Sequence, residues 1–316
     1  MSEHRFSQGA EPTPHGVRYC VWAPGRDAAV QVFARGKVPE RIVPLARDSH
    51  GWHRGVDERG RAGDRYFIQL GKAAYPCPAS RFQPENVHGP SMVVSPDFAW
   101  TDGAWKRPPF RDLVIYELHV GTFTPQGNFR GVIGKLAHLR GLGVNAIELM
   151  PIADFPGERN WGYDGVRLFA PARIYGAPDD LRALVDAAHA HGIAVILDVV
   201  CNHFGPDGNY LREFSPDWFE SRHHTPWGEA INFSSRPVRD YYASNLEYWI
   251  EHFHIDGFRL DATHEIFDDS PRHILAELGE VVHARGGWII AEDERNDARL
   301  IERSEAGGFD LDAVWA

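Results

Sequence analysis

The sequence predicts a β-sandwich module followed by an incomplete (β/α)8 barrel. Three observations carry that expectation. Over the first 85 residues, runs rich in β-branched and aromatic residues alternate with Gly/Pro/Asp clusters. From residue 113 onward, strand-like runs alternate with helical ones, which is the grammar of a parallel sheet. The polar residues that stand out there are His119, Asp198, Asn202, His203, Arg259, Asp261 and Glu292. All fall at the C-terminal ends of the strand-like runs, the face on which a barrel carries its active site.

In chain order, residues 17–22 (VRYCVW), 29–33 (AVQVF) and 65–70 (RYFIQL) read as strands. Short strands at this spacing point to a sandwich, of the Ig-like kind, over 1–85. Pro76, Pro78, Pro84, Pro90, Pro96, Pro108 and Pro109 then break any regular structure, so 86–112 reads as a connector packed between domains. The catalytic unit occupies 113–316. Its strands are expected at 113–120, 144–150, 194–200, 257–262 and 288–292, and a sixth begins at 311–315. Between them the apolar spacing is helical: Leu181, Leu184, Val185 and Ala188 after Pro178; Val238, Tyr241, Tyr242, Leu246, Trp249, Ile250 and Phe253; Ile274, Leu275, Leu278 and Val282. A doubly wound sheet is the other way to arrange such units. Its phosphate-cradling signatures are missing, with no G-x-G-x-x-G after the first strand and no Walker A loop. The sequence reaches its last residue within the sixth strand. A chain of these residues alone is therefore expected to be inactive and to fold poorly, because an open parallel sheet exposes backbone donors and acceptors.

Composition narrows the function. The 316 residues are 43% hydrophobic and 24% charged, ample for a sizeable core. A formal net charge of −11 disfavours nucleic acid and anionic membranes as partners. The three cysteines, Cys20, Cys77 and Cys201, form no C-x-x-C pair, so neither a disulfide framework nor a structural zinc site is expected. Residues 1–16 lack a basic-then-apolar signal pattern. The strongest apolar stretch, 192–200, is short and interrupted by Asp198, well under the roughly 20 apolar residues of a membrane span. Together these features imply a soluble cytoplasmic protein.

Asp261 and Glu292 carry the chemical reading. Each closes an apolar strand, where a carboxylate is costly unless paired or hydrogen-bonded. An ion pair that fixes the barrel explains one such residue as well as catalysis does, but explains two on consecutive strands less easily. Parallel neighbours lie about 4.8 Å apart, which suits the roughly 5–5.5 Å carboxyl separation of a retaining glycosidase. Arg259, two residues before Asp261, shares its face. It is expected to lower the Asp261 pKa and keep a nucleophile ionised, while the enclosed, negative surroundings of Glu292 keep an acid protonated. Asp198 is placed to orient Arg259, and His203 to donate to a substrate hydroxyl, although a loop histidine is more often structural. Tyr163 and Trp161 offer aromatic faces suited to sugar rings. For Trp161, core packing is the stronger of the two readings.

At these residues the sequence resembles the α-amylase superfamily of glycoside hydrolases, glycoside hydrolase family 13. Residues 198–203 (DVVCNH) are similar to its first conserved block, 257–264 (GFRLDATH) to its second and 290–292 (IAE) to its third. Longer motifs resemble the superfamily's trehalose-releasing branch: 155–166 (FPGERNWGYDGV), 202–211 (NHFGPDGNYL), 225–233 (TPWGEAINF) and 291–297 (AEDERND). Cys201 and Thr263 depart mildly from the family pattern, and the family's third acidic residue has no position here. The resemblance implies a β-sandwich glucan-associated module at 1–85 and a (β/α)8 barrel. It implies hydrolysis of the α-1,4 bond beside the terminal trehalose of malto-oligosyltrehalose or a related α-glucan. Asp261 would be the nucleophile and Glu292 the acid/base, with Arg259, His203, His264 and Tyr163 holding the sugar. No organic cofactor is implied. Some relatives hold calcium near Asn202, but no oxygen cluster here demands it. A branching-type transferase and a non-catalytic glucan-binding fragment remain open beside the hydrolase.

Overall fold

The computed structural model describes residues 8–33 and 38–316. Residues 1–7, part of the stretch read above for a signal pattern, lie outside the described residues. Two antiparallel sheets come first. One orders Gly9–Thr13, Gly16–Trp22, Trp52–Asp57 and Ala46–Arg47. The other orders Arg41–Pro44, Ala28–Phe33, Arg65–Leu70 and Ala73–Tyr75, with Ser91–Met92 also pairing against Arg65–Leu70. Val17, Tyr19 and Val21 are buried on the first, and Val30, Val32, Tyr66, Ile68 and Leu70 on the second. The sheets meet where Tyr19 and Tyr66 pack edge to face, 5.2 Å between centroids. The three strands expected from sequence are the longer ones rich in β-branched and aromatic residues. The additional ones, such as GAEPT and WHRGVD, lack the β-branched density that marks a strand in isolation.

Six parallel strands follow: β1 Ile115–Leu118, β2 Ala146–Leu149, β3 Ala194–Val199, β4 Gly257–Leu260, β5 Trp288–Glu292 and β6 Ala313–Trp315. They are hydrogen-bonded in sequence order. A doubly wound sheet reverses its order at a switch point. This one does not, and it curls into a parallel half-barrel. The first strand is shorter than expected because the chain turns into a short helix at Val120–Phe123. Three longer helices cover the sheet: α1 Pro178–Ala190, α2 Arg236–Phe253 and α3 Ile274–His283. Proline at its first position and the Asp180 carboxylate accepting from Ala177 N (2.9 Å) start α1. A left-handed His254 (φ 54°) ends α2. Among the described residues, no helix is long and apolar enough to cross a membrane.

The period of two in each strand divides the sheet into faces. Ile147, Leu149, Val195, Leu197, Phe258, Leu260, Ile289 and Ala291 join the main core with the helices. Ala146, Ala194, Ile196, Trp288 and Ile290 form a separate cluster on the other face. A Cβ at Gly257 would stand 3.0 Å from the Trp288 Cβ, so glycine there leaves room for the indole. One step further along the same face come Glu148, Asp198, Arg259 and Glu292. The polar site is thus the top layer of an apolar stack.

At the opposite end of the strands, Asp256 is fully buried. Its Oδ2 accepts from Val195 N (2.8 Å) and faces His189 Nε2 (2.9 Å). Its Oδ1 accepts from Trp105 Nε1 and Arg107 Nε, both at 2.8 Å. His189 Nδ1 and His254 Nδ1 each lie 2.8 Å from Asp102 Oδ2. Trp105 stacks on His189 (4.4 Å between centroids) and Trp100 on His254 (3.7 Å). Residues 100–107 are thereby clamped beneath the sheet. Burial alone would lower the His189 pKa, but hydrogen bonds and charge from Asp256 and Asp102 outweigh it and raise it. Asp256→Ala would leave four donors without their acceptor. It is expected to cost about 3–5 kcal/mol, read from urea unfolding at pH 7. A loss below about 1 kcal/mol would show that the clamp does not hold the fold.

Candidate active site

Arg259 stands at the centre of the polar layer. It lies in register with Asp198 on β3, and its Nη1 donates to Asp198 Oδ2 at 2.6 Å. The same Nη1 is 3.5 Å from Asp261 Oδ1, and Nη2 is 2.9 Å from Glu292 Oε1. Its Nε lies 4.0 Å from Glu148 Oε1. One guanidinium therefore serves carboxyls delivered by β2, β3, β5 and the turn after β4. Tyr163 donates to the same Asp198 oxygen at 3.0 Å.

Asp261 follows the last residue of β4, and its backbone N–H still bonds Val199 O (3.1 Å). Asn202 Nδ2 donates to its Oδ2 (2.9 Å) and to its carbonyl (2.7 Å). The next residue, Ala262, is left-handed at φ 42°, an unfavourable conformation for a residue with a Cβ. That turn aims the Ala262 N–H at Glu292 Oε2, 2.8 Å away. The Thr263 hydroxyl lies 2.9 Å from both the Glu292 carbonyl and Asp293 Oδ2. Burial would raise the Asp293 pKa, but hydrogen bonds from Arg295 and Thr263 bring it down to about 2. Asp261 and Glu292 are thus held against each other by one strained turn.

The charge balance at Asp261 differs from the sequence expectation. Burial pushes its carboxyl up to about 6; the Asn202 hydrogen bond and Arg259 oppose this, and the Glu292 charge adds to it. Arg259 is too far from Asp261, and too engaged with Asp198, to reverse the cost of burial. Both ring nitrogens of His203 also face protein acceptors: Nδ1 the Asn202 amide oxygen, and Nε2 the Tyr163 carbonyl at 2.8 Å. No ring nitrogen is left for the substrate hydroxyl expected of it. The ring stacks on Trp227, 3.8 Å between centroids. Asn202 uses both amide atoms, toward Asp261 and His203. His264 lies just beyond Thr263, half-buried, with Nδ1 unpartnered among the described residues. Trp161 is 77% exposed. The core-packing reading of Trp161 is overturned, because its loop is held by backbone contacts instead. Asn160 Oδ1 accepts from Gly162 N (2.7 Å), and Gly162 (φ 109°) presses so closely on Pro151 O that a Cβ would stand 2.1 Å from it. His119 is tied to Asn160 O (2.8 Å) and Tyr175, which anchors that loop.

A family model described as "Alpha amylase, catalytic domain" matches residues 92–242. The chain is 48% identical to the malto-oligosyltrehalose trehalohydrolase of Saccharolobus solfataricus, over 95% of this chain and 53% of that protein. It is 46% identical to the trehalohydrolase of the same name from Deinococcus radiodurans, over 98% of this chain and 51% of that protein. A crystal structure of a Salmonella typhimurium protein superposes with a TM-score of 0.90 at 40% identity. It covers 98% of this chain and 53% of that one. The chain is similar to the α-amylase family over residues 92–242. It spans about half the length of the curated relatives it matches.

Two contributors escaped the sequence reading. Glu148 sits inside an apolar run, one residue short of the end of β2. A carboxylate in such a run was itself the signal, as it was for Asp198. Trp227 lies in a motif noticed only for its resemblance, and nothing in its spacing foretold the stack on His203. The balance at Asp261 has a direct check: a carboxyl titration is expected to place its midpoint near 6, falling in Glu292→Gln and rising in Asn202→Ala. A midpoint at about 4, the ordinary aspartate value, would mean that burial does not dominate.

Proposed function

We propose that the chain carries the catalytic carboxyls of a retaining glycoside hydrolase that releases trehalose from malto-oligosyltrehalose. The observation that carries the reading is the joint grip of Arg259 on Asp261 and Glu292 at one end of a parallel sheet. The printed names of the relatives at 46–48% identity support trehalose as the product. In this reading Asp261 attacks the anomeric carbon of the glucose next to the trehalose unit. The C–O bond to trehalose breaks, and Glu292 gives its proton to the departing oxygen. Water then attacks the same carbon of the glycosyl-enzyme, Glu292 takes the water's proton, and Asp261 is released as the malto-oligosaccharide leaves. At pH 7, an Asp261 pKa near 6 still leaves most of the nucleophile ionised.

Arg259 neutralises the paired carboxyls, and Asp198 with Tyr163 holds it in place. His203 supports the site by joining the Tyr163 loop to Asn202. Trp161 and His264, exposed and half-exposed beside the site, offer a ring face and a polar edge to the glucan. We assign residues 1–85 to a glucan-associated β-sandwich, 86–112 to the connector and 113–316 to part of a (β/α)8 barrel. The acidic net charge suits a neutral glucan in the cytoplasm better than nucleic acid or a membrane.

Two substitutions test the assignment. In a protein extended to the length of its relatives, Asp261→Asn is expected to lower trehalose release by at least about 10³-fold while oligosaccharide binding persists. Unchanged turnover would remove Asp261 as nucleophile. Glu292→Gln is expected to damage hydrolysis of malto-oligosyltrehalose far more than that of an activated aryl glycoside, whose leaving group needs little protonation. Equal losses would deny the acid role. Chromatography of the products separates hydrolysis, which gives free trehalose, from transfer, which gives new glucan linkages.

A further inference from the structure

One polar pair in the heart of the sheet is left unmade. Glu148 on β2 is fully buried, and among the described residues neither of its oxygens has a hydrogen-bond partner. The Arg259 Nε is buried and unpartnered as well. The two face each other at 4.0 Å. That is too long for a hydrogen bond, yet close enough for appreciable attraction where water is excluded. The other edges of the same guanidinium hold Asp198 (2.6 Å), Glu292 (2.9 Å) and, more loosely, Asp261 (3.5 Å). Of the four carboxyls around Arg259, Glu148 alone has no second partner to satisfy it: Asp198 has Tyr163, Asp261 has Asn202 and Glu292 has the Ala262 N–H.

We propose that Glu148 is a positioning residue that sets how Arg259 shares its charge among Asp198, Asp261 and Glu292. This rests on the reading of Glu292 as the general acid. Glu148 is enclosed and does not reach a substrate, so it acts only through its neighbours. Those facing it are Glu117, its register partner on β1, Asp198 from β3, Arg259 from β4 and Glu292 from β5, with Asp261 behind Arg259. When Glu148 is ionised, two effects act in one direction. Its charge repels negative charge on Glu292, and it draws the guanidinium toward Nε, away from Glu292. Both favour the proton on Glu292 that acid catalysis needs. Burial raises the Glu148 carboxyl to about 7, with Arg259 opposing and Glu117 and Glu292 assisting. The device therefore changes state close to neutral pH. A mere buried ion pair would contribute to stability and leave the pH profile alone.

The test compares kcat/KM against pH for a protein extended to the length of its relatives and for its Glu148→Gln variant, which keeps the shape and removes the charge. With malto-oligosyltrehalose as substrate, KM is expected to stay within about twofold. The alkaline limb should move to lower pH by about half a unit or more. An unmoved limb in a variant that melts normally overturns the proposal. A second measurement needs no turnover: titration of the Glu148 carboxyl by 13C NMR in the protein and in Glu292→Gln. Removing the Glu292 charge is expected to lower the Glu148 midpoint by several tenths of a unit, about the size of a weak charge–charge coupling. An unchanged midpoint overturns the coupling even if Glu148→Gln fails to fold. An extended protein that releases no trehalose would sink the trehalohydrolase reading, and the titration would still decide on Glu148.

Discussion

A single guanidinium makes this sheet possible. Glu148, Asp198, Asp261 and Glu292 come from neighbouring strands or strand ends, and without a cation between them their charges would repel across a buried face. Arg259 carries five N–H donors in a rigid plane, and the structure uses that geometry: one edge meets Asp198 and Asp261, another Glu292, and the Nε side Glu148. A lysine would bring the same charge but not the same reach in several directions. Below the layer, the face is apolar, from Ala146 to Ile290. The polar groups are therefore confined to one end, where strand register decides which of them meet.

The behaviour of Asp261 follows from the same crowding. A neighbouring arginine lowers a carboxyl pKa only as far as it is free to do so. Arg259 gives its shortest contact to Asp198 and reaches Asp261 at 3.5 Å. Burial and the Glu292 charge then outweigh it, and the carboxyl sits near 6. The left-handed Ala262 belongs to the same economy of space. Its strain is the cost of turning the chain sharply enough for its N–H to hold Glu292 beside Asp261.

The six parallel strands and three covering helices were legible because each is a short apolar run or a clear helical stripe. Arg259, Asp261 and Glu292 were legible because charges at the ends of such runs are conspicuous, and because alternation puts residues 259 and 261 on one face. Other features depend on distances that a linear pattern does not contain. Asp102, His189 and Asp256 meet although 87 and 67 residues separate the histidine from its two partners. His203 could be marked as a polar loop residue, but its engagement by Asn202 and the Tyr163 carbonyl is a tertiary fact. Trp161 illustrates the opposite error: a large aromatic invites a core reading, and only the backbone contacts of its loop reveal that it is left outside.

The clamp beneath the sheet also constrains the order in which the molecule can be assembled. Trp105 donates to Asp256 across 151 residues and Arg107 across 149. No local structure can supply that acceptor, so Trp105 and Arg107 cannot be fastened until β3, α2 and the turn into β4 have been made, although Thr101 and Asp102 already meet Asp186 and His189 of α1. Contacts of such long range close late and slowly. During synthesis the two N-terminal sheets can form from neighbouring residues, and they can meet Glu213, Trp218 and Tyr241 before Asp256 has emerged. Closing the clamp on Trp105 and Arg107 is then among the later events of folding, governed by a residue far from the connector it holds.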